Sequence, residues 1–279
     1  MSENTPDSWP HKAYKNLDFL NSPDARQIRV LCELEETERR FRQENIEDTI
    51  VMFGSARTIP LEQATSRSEA IEKTLSNKKK RTPAEDEELR MARANLKNAP
   101  YYDHAMNLSH ELTKWSKSLA DHRRRFLVCS GGGPGIMEAA NRGAKEAGGA
   151  SIGLGISLPF EQSLNPYITR NLQFEFHYFF IRKYWFIYLA KALVVFPGGF
   201  GTMDELFETL TLIQTRKVQK KVPIVLFGSA FWNSVINFET FVEWGVISPK
   251  DVKLFTIVDT VEEARKTIVD ALTEEHLSD

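Results

Sequence analysis

The sequence is poor in cysteine and lacks long apolar runs. Its two cysteines, Cys32 and Cys129, form no CxxC pair, and Cys129 lies in an apolar run where cysteine behaves as a small hydrophobic residue. No structural disulfide is therefore expected, and we predict a reducing, cytoplasmic location. No apolar stretch reaches the roughly 18 residues that a membrane-spanning helix needs. The first residues also lack the basic start and apolar block of a secretory signal, so we predict no membrane partner.

A large excess of charge of one sign is also absent. Lys and Arg number 36 and Asp and Glu number 38, which gives a formal charge of −2. Proteins that bind nucleic acids through general electrostatics are much more basic, so no nucleic-acid partner is expected. The 15 glycines and 12 prolines among 279 residues are too few for a fibrous or low-complexity chain. The length suits one or two globular domains.

The N-terminal third of the sequence differs from the rest. Residues 1–23 contain three prolines and are interpreted as an arm that can dock through Trp9, Tyr14 and Phe19. The apolar spacing over 24–44 predicts an amphipathic helix. Residues 60–100 predict a charged helical insertion, in which the capping box Thr82-Pro83-Ala84-Glu85 begins a helix. The basic run at 78–81 could contact a phosphate or nucleic acid, but the acids that follow favour a solvated corner between helices.

Elsewhere short apolar segments alternate with helical ones. The predicted strands cover 49–55, 125–130, 151–157, 172–176, 192–196, 223–227 and 255–258. The predicted helices cover 102–119, 134–147, 177–190, 202–216, 231–244 and 261–272. This alternation predicts an α/β fold with a doubly wound, mostly parallel sheet and helices on both faces. We predict one such domain over 47–279, preceded by an arm and helix over 1–46.

Two glycine-rich turns each join a predicted strand to a predicted helix. The first covers Ser130 to Gly135 and the second covers Phe196 to Thr202. In a parallel α/β sheet both turns lie at the carboxyl ends of strands, where ligands bind. Glycine lets the backbone approach an anion closely, and the helix that follows offers free N–H groups. A tight turn needs glycine in any case, but two such turns in one chain favour a nucleotide-like ligand.

Several motifs that would specify the ligand further are missing. Neither turn matches GxxxxGK[ST], and neither matches GxGxxG, because Ile136 stands where the third glycine would be. A P-loop NTPase is therefore excluded and a dinucleotide cofactor is disfavoured. The six histidines are scattered, so the sequence predicts no metal site, and we expect no cofactor.

The motifs resemble those of a known family. The segment PGGFGTMDE, Pro197 to Glu205, is similar to the PGGxGTxxE signature of the LONELY GUY family, the cytokinin riboside 5′-monophosphate phosphoribohydrolases. Arg182-Lys183 resembles the Arg-Lys pair of that family, Gly131 to Ala144 its other glycine loop, and Phe53 to Ala56 its first strand end. The resemblance runs from about 49 to about 243. The N-terminal helix and the insertion depart from the compact plant-type members and resemble the longer bacterial branch.

The resemblance implies a Rossmann-like nucleotide-binding domain that hydrolyses the N-glycosidic bond of a nucleoside 5′-monophosphate. The substrate would be AMP-like or a cytokinin riboside monophosphate, and the products a free base and ribose 5-phosphate. Breaking this bond develops positive charge on the ribose, which a nearby carboxylate stabilises. The resemblance makes Glu205 and Arg182 the catalytic residues, and the helix N-terminus is expected to keep Glu205 ionised. It also implies a homo-oligomer, a dimer or higher, with the aromatic-rich helix at 177–190 in the core or at the interface.

The resemblance further implies a set of substrate-binding residues drawn from four segments. They are Ser55, Gly132, Gly133, Glu138, Lys183, Gly198, Gly199, Gly201, Thr202 and Asp204. The second glycine turn and its threonine would hold the 5′-phosphate. Simpler roles stay open for several residues. Asp204 and Glu205 can be ordinary first-turn acids, Arg182 an exposed helix arginine, and Glu138 a helix cap, while Ser55 can simply end its strand.

A second function class fits the same pattern. A protein of this fold can bind a nucleotide or a phosphorylated cofactor without turnover, as the molybdenum cofactor carriers do, although Arg182 and Glu205 favour an enzyme. The wider group was long labelled "lysine decarboxylase", but no pattern here would place a Schiff-base lysine beside a phosphate site. The base preference and the role of the insertion stay open.

Overall fold

The seven predicted strands form one parallel sheet. The computed structural model of the protein describes residues 12–76, 78, 80–119, 125–157 and 163–277. The strands are β1 (Thr49–Phe53), β2 (Leu127–Ser130), β3 (Ser151–Ile156), β4 (Gln173–Phe176), β5 (Ala190–Val195), β6 (Ile224–Phe227) and β7 (Phe255–Val258). Their order is β4-β3-β2-β1-β5-β6-β7, and every neighbouring pair is parallel. The predicted doubly wound α/β fold is confirmed.

Helices cover both faces of this sheet. Those in the described ranges are α1 (Leu17–Asn21), α2 (Arg26–Gln43), α3 (Leu61–Ser76), α4 (Pro83–Asn98), α5 (Pro100–Ser118), α6 (Ile136–Glu146), α7 (Phe179–Tyr188), α8 (Phe200–Gln214), α9 (Ser229–Val235), α10 (Phe238–Glu243) and α11 (Val261–His276). In the part of the chain that the structure describes, no helix has both the length and the apolar character to cross a membrane.

The alternation of side chains along β1 divides the core into two halves. Ile50 and Met52 pack on one face against α5, α6 and α11. Val51 and Phe53 pack on the other face with residues of α2, α7 and α8. All five residues of β1 are buried, as expected for a central strand of a parallel sheet. The β-branched, apolar composition that predicted the strands is thus explained by burial on two sides.

Two of the three aromatic residues that were expected to dock the N-terminal arm are exposed. Tyr14 is 68% exposed and Phe19 is 37% exposed, and Trp9 lies outside the described residues. Instead, the guanidinium of Arg29 in α2 donates to the main-chain carbonyl of Leu20 at 2.6 Å. In the described part of the arm, a hydrogen bond to the backbone of α1 takes the place of packing by Tyr14 and Phe19.

The helix predicted over 231–244 is two helices. Ile236 adopts an extended conformation after α9, and the side chain of Asn237 accepts a hydrogen bond from the backbone N–H of Thr240. Asparagine in this position begins a new helix by satisfying a free N–H group. The apolar spacing continues across this break, so periodicity alone predicted one helix where the capping residue makes two.

The charged insertion consists of α3 and α4, which pack against each other. The predicted capping box is present at the start of α4, where Thr82 and Glu85 cap each other's backbone. Lys78 pairs with Glu85, and Arg81 lies 3.7 Å from Asp86. These basic residues are neutralised by the acids that follow them, as in the predicted solvated corner.

Candidate functional site

A cleft lies over the carboxyl ends of the central strands. From β1, the sheet continues through β2, β3 and β4 on one side and through β5, β6 and β7 on the other. The direction in which strands are added therefore reverses between β1 and β5. Ligands of open α/β sheets bind at such a switch point. The cleft is about 810 Å³ in volume and is lined by the loops after β1, β2 and β5 and by residues of α7, α8 and α9. The sheet topology therefore brings the glycine turns and the expected catalytic residues to one edge.

Backbone hydrogen bonds join three of these loops. The N–H of Ser55 donates to the carbonyl oxygen of Pro197 at 2.9 Å, and the N–H of Ile136 donates to the carbonyl oxygen of Ser55 at 3.1 Å. Gly135 has a φ of 72°, and a Cβ atom there would lie 2.3 Å from the same Ser55 oxygen. Only glycine permits this approach, so the glycine at 135 holds the loops after β1 and β2 together.

The second glycine turn leaves open space at the start of α8. A Cβ atom on Gly198 would lie 2.1 Å from the hydroxyl oxygen of Thr202, so these two residues pack together. A Cβ atom on Gly199 or Gly201, in contrast, would meet nothing within 4 Å, and both residues line the cleft. Packing within the described protein does not require glycine at these two positions. The free N–H groups of the helix N-terminus can therefore be reached by an anion.

The first glycine turn is held in place by buried hydrogen bonds. Gly132 and Gly133 are buried, and the side-chain amide of Asn165 donates to both of their carbonyl oxygens at 3.0 Å. Asn165 also donates to the carboxamide oxygen of Asn141 in α6 at 2.9 Å. Gly131 lines the cleft, but the two glycines that follow it do not. The contact of Gly132 and Gly133 with substrate therefore stays a prediction, and their carbonyl groups are held by Asn165.

Asn141 and Asn165 were not among the residues predicted from the sequence. One signal was present, because Asn141 is a polar residue on a helix face whose other buried members are mostly alanine and glycine. A buried polar side chain needs hydrogen-bond partners, so this position could have indicated a polar network. Asn165 lies in an irregular segment and gave no such signal.

Arg182 and Glu205 meet in the cleft, as the motifs suggested. The guanidinium nitrogen Nη2 of Arg182 lies 3.6 Å from Oε1 of Glu205, and the side chains are 15% and 4% exposed. The rings of Phe179 and Phe186 lie 5.1 Å and 5.5 Å from the guanidinium carbon. Arg182 is therefore not an ordinary exposed helix arginine, and the packed rings fix its direction toward Glu205.

The expectation that Glu205 stays ionised is not supported. Burial raises the pKa of this carboxyl from its ordinary 4.5 to about 7, because desolvation outweighs the attraction of Arg182 and Lys183. The helix N-terminus suggested a low pKa, but the side chain lies one turn further in, where water is excluded. Near neutral pH both forms are populated, which suits a group that exchanges protons.

Three other expected substrate-binding residues, Glu138, Lys183 and Asp204, do not line the cleft. The ammonium of Lys183 lies 2.8 Å from Oδ1 of Asp204 and 3.1 Å from Oε2 of Glu208, so it connects α7 to α8. The carboxylate of Glu138 accepts a 2.7 Å hydrogen bond from the hydroxyl of Tyr102, which connects α6 to α5. Ser55 does line the cleft. The geometry thus separates residues that face the cleft from residues that brace its walls.

Residues outside the recognised motifs also line the cleft. Arg57 and Asn98 stand on either side of the insertion, and Phe231 and Val235 belong to α9. Arg57 follows the carboxyl end of β1 by four residues, and this position in the sequence could have indicated a residue of the cleft. Across the described residues, no group of three or more His, Cys, Asp or Glu side chains is arranged to hold a metal ion.

Fold and cleft together define a doubly wound α/β protein with a candidate ligand site at the switch point. The family model described as "Possible lysine decarboxylase" matches residues 137–268. Cytokinin riboside 5′-monophosphate phosphoribohydrolase LOG3 of Arabidopsis thaliana is 27% identical over 175 residues, which cover 62% of this chain and 76% of that protein. The probable phosphoribohydrolase LOG6 of the same plant is 26% identical over 170 residues, which cover 61% and 80%. The expected resemblance to the LONELY GUY family is confirmed.

A solved structure of the molybdenum cofactor binding protein from Rippkaea orientalis is also similar. It is 16% identical, with a TM-score of 0.45, and the match covers 81% of this chain and 96% of that chain.

Proposed function

We propose that the protein hydrolyses the N-glycosidic bond of a nucleoside 5′-monophosphate and releases the free base and ribose 5-phosphate. The observation that carries the proposal is the buried Arg182–Glu205 pair, which shares one cleft with the open glycine turn of α8. The sequence relatives, which are named as phosphoribohydrolases, support the same reaction class.

The turn before α8 is proposed to hold the 5′-phosphate. Gly198, Gly199, Gly201 and Thr202 form the N-terminus of this helix and line the cleft. Their free N–H groups and the positive end of the helix dipole favour a phosphate there. Glu205 stands one turn further along the same helix, so a nucleotide held by its phosphate can place its ribose beside the carboxyl group.

Glu205 is proposed to act on the ribose carbon that carries the base. As the bond from C1′ to the base nitrogen breaks, the electron pair leaves with the base and positive charge develops on the ribose. Ionised Glu205 stabilises this charge and accepts a proton from the water that attacks C1′. Glu205 then gives up this proton to solvent and the departing base takes one up from solvent, so atoms and charges balance. Arg182 keeps its charge, orients Glu205 and offers further donors to the nucleotide.

The remaining expected residues are proposed to support this site. Lys183 holds α7 against α8 through Asp204 and Glu208, which keeps Arg182 opposite Glu205. Glu138 ties α6 to α5 beneath the first glycine turn. Ser55 lines the cleft next to the second turn, where its hydroxyl can donate to a phosphate.

Self-association through α7 is part of the proposal. Phe180, Tyr184 and Tyr188 stand four residues apart on this helix and are 53%, 45% and 54% exposed. A row of exposed aromatic rings of this kind marks an interaction surface. We expect light scattering to show a dimer or larger assembly, and Tyr184→Glu to shift the mass toward the monomer. A monomeric wild-type protein would contradict this part.

The reaction is tested by chromatography of the free base released from nucleoside 5′-monophosphates and from the matching nucleosides. We expect release from monophosphates alone and at least a 100-fold loss of rate in Glu205→Gln, with nucleotide binding retained. Glu146→Gln is a matched control, because Glu146 also pairs with an arginine, Arg142 at 2.7 Å, but on the surface. Undiminished release in Glu205→Gln would overturn the assignment. Tight nucleotide binding without any base release would favour a carrier or binding protein.

A further inference from the structure

The charged insertion meets the cleft at both of its ends. Arg57 lies shortly before α3 begins at Leu61, and Asn98 is the last residue of α4. Both side chains line the cleft that holds the glycine turn of α8. The insertion therefore leaves and rejoins the domain at the ligand site, and its ends form one wall of the cleft.

Arg57 is tied to the glycine turn. Its backbone N–H donates to the hydroxyl oxygen of Ser55 at 3.1 Å, and the N–H of Ser55 donates to the carbonyl oxygen of Pro197 at 2.9 Å. Pro197 directly precedes Gly198. Two hydrogen bonds thus hold the backbone of Arg57 beside the turn where an anion can bind.

The guanidinium of Arg57 is not neutralised within the described protein. No carboxylate of the described residues lies within 4.0 Å of it, and its side chain is exposed to the cleft. Three arginines of the insertion differ in this respect, since Arg81, Arg90 and Arg93 each pair with a neighbouring acid. Among the charged residues that line the cleft, Arg182 is already opposite Glu205. Of the described residues that line the cleft, Arg57 is the cation left to meet a bound anion.

Asn98 supplies an uncharged polar group to the same wall. The residue is half-buried, and its carboxamide has no hydrogen-bond partner among the residues that the structure describes. A carboxamide offers two donors and one acceptor, which match a ribose hydroxyl or the edge of a base.

We propose that the insertion forms one wall of the nucleotide site, with Arg57 pairing with the 5′-phosphate and Asn98 hydrogen bonding the nucleoside. The inference rests on the proposed function, and it assigns a role to the segment that distinguishes this chain from a compact domain. The turn of α8 offers backbone N–H groups and one hydroxyl, so a cation beside it strengthens binding of a doubly charged phosphate.

Isothermal calorimetry with AMP and with adenosine tests both contacts. Arg57→Gln is expected to weaken AMP binding about 10- to 100-fold, as the loss of a charge-assisted hydrogen bond does, and to leave adenosine binding within twofold. Asn98→Ala is expected to weaken AMP and adenosine by the same factor, about five- to tenfold. Arg93→Gln is the control, because it removes an equal charge from the insertion outside the cleft. Circular dichroism at matched pH checks that each variant is folded.

The outcomes separate this inference from the proposed reaction. AMP affinity within twofold of wild type in Arg57→Gln would overturn the role of Arg57, whatever the catalytic activity. The expected pattern without any base release would support the binding wall and contradict the hydrolase. If wild-type protein binds none of AMP, GMP, CMP and UMP, both proposals fall. Partial recovery of AMP binding in Arg57→Lys, with adenosine unchanged, would support a charge contact over a structural role.

Discussion

Glu205→Gln is expected to be more stable than wild type by an amount that grows as the pH rises, although the substitution removes the proposed catalytic group. Burial raises the pKa of the Glu205 carboxyl from 4.5 to about 7 in the folded protein. Between these pH values the unfolded chain releases the proton and the folded protein keeps it. The free energy of unfolding therefore falls as the pH rises through this window. At about 1.4 kcal/mol per pH unit, the loss reaches roughly 3 kcal/mol above pH 7.

Glutamine has the shape of the protonated acid and cannot ionise. We therefore expect the variant to match wild type near pH 4 and to exceed its free energy of unfolding by up to roughly 3 kcal/mol at pH 8. Urea unfolding followed by far-ultraviolet circular dichroism at pH 4, 5, 6, 7 and 8 measures the difference. Glu146→Gln, the exposed member of an arginine pair, is expected to change stability by less than about 1 kcal/mol at each pH. A Glu205→Gln variant no more stable than wild type at pH 8 would refute the reasoning. An equal gain at every pH would refute it as well.

Two further substitutions separate ligand contact from structural support. Gly199→Ala is expected to change the free energy of unfolding by less than about 0.5 kcal/mol, since the new methyl group meets nothing within 4 Å, yet to weaken AMP binding in calorimetry. Unchanged AMP affinity would show that this turn does not contact the phosphate. Gly135→Ala is the control with a strained backbone, because Gly135 has a φ of 72°, and this variant is expected to unfold more easily. Asn165→Ala is expected to cost about 1 to 3 kcal/mol in urea unfolding, because the buried carbonyl of Gly133 loses its donor. The carbonyl of Gly132 keeps a donor, since it also accepts from the backbone N–H of Asn165 at 2.8 Å. A loss below about 0.5 kcal/mol would show that water replaces the amide.

Much of the fold could be predicted because central strands of a parallel sheet are buried on both sides. The run Thr49–Phe53 is apolar or β-branched throughout, and such a run is hard to place anywhere else. The break at Ile236 was missed because the apolar spacing continues through it and a single capping asparagine decides the boundary. The strands could therefore be predicted without knowledge of tertiary contacts, whereas the end of α9 could be predicted only from the capping residue that follows it.

The candidate site was predicted less completely than the fold. Its motifs identified Arg182 and Glu205, which do meet in the cleft. The pKa of Glu205 depends on how much water its surroundings exclude, and a position near a helix N-terminus does not carry that information. The partner of Gly133 is Asn165, 32 residues away in the sequence, so no local pattern could connect them. Motifs record residue types at fixed spacings, whereas burial and distant hydrogen bonds arise only when the chain folds.

The backbone of Ser55 has a consequence for cooperativity. Its N–H reaches the loop after β5, and its carbonyl oxygen accepts from the first residue of α6. The strands before α7 and the strands after it form the two sides of the sheet, so this one residue joins both sides at the floor of the cleft. The ligand surface exists only while the two sides are docked. A molecule that binds across this surface is expected to stabilise the docking of the two sides by mass action, and so to make the two halves of the chain unfold together.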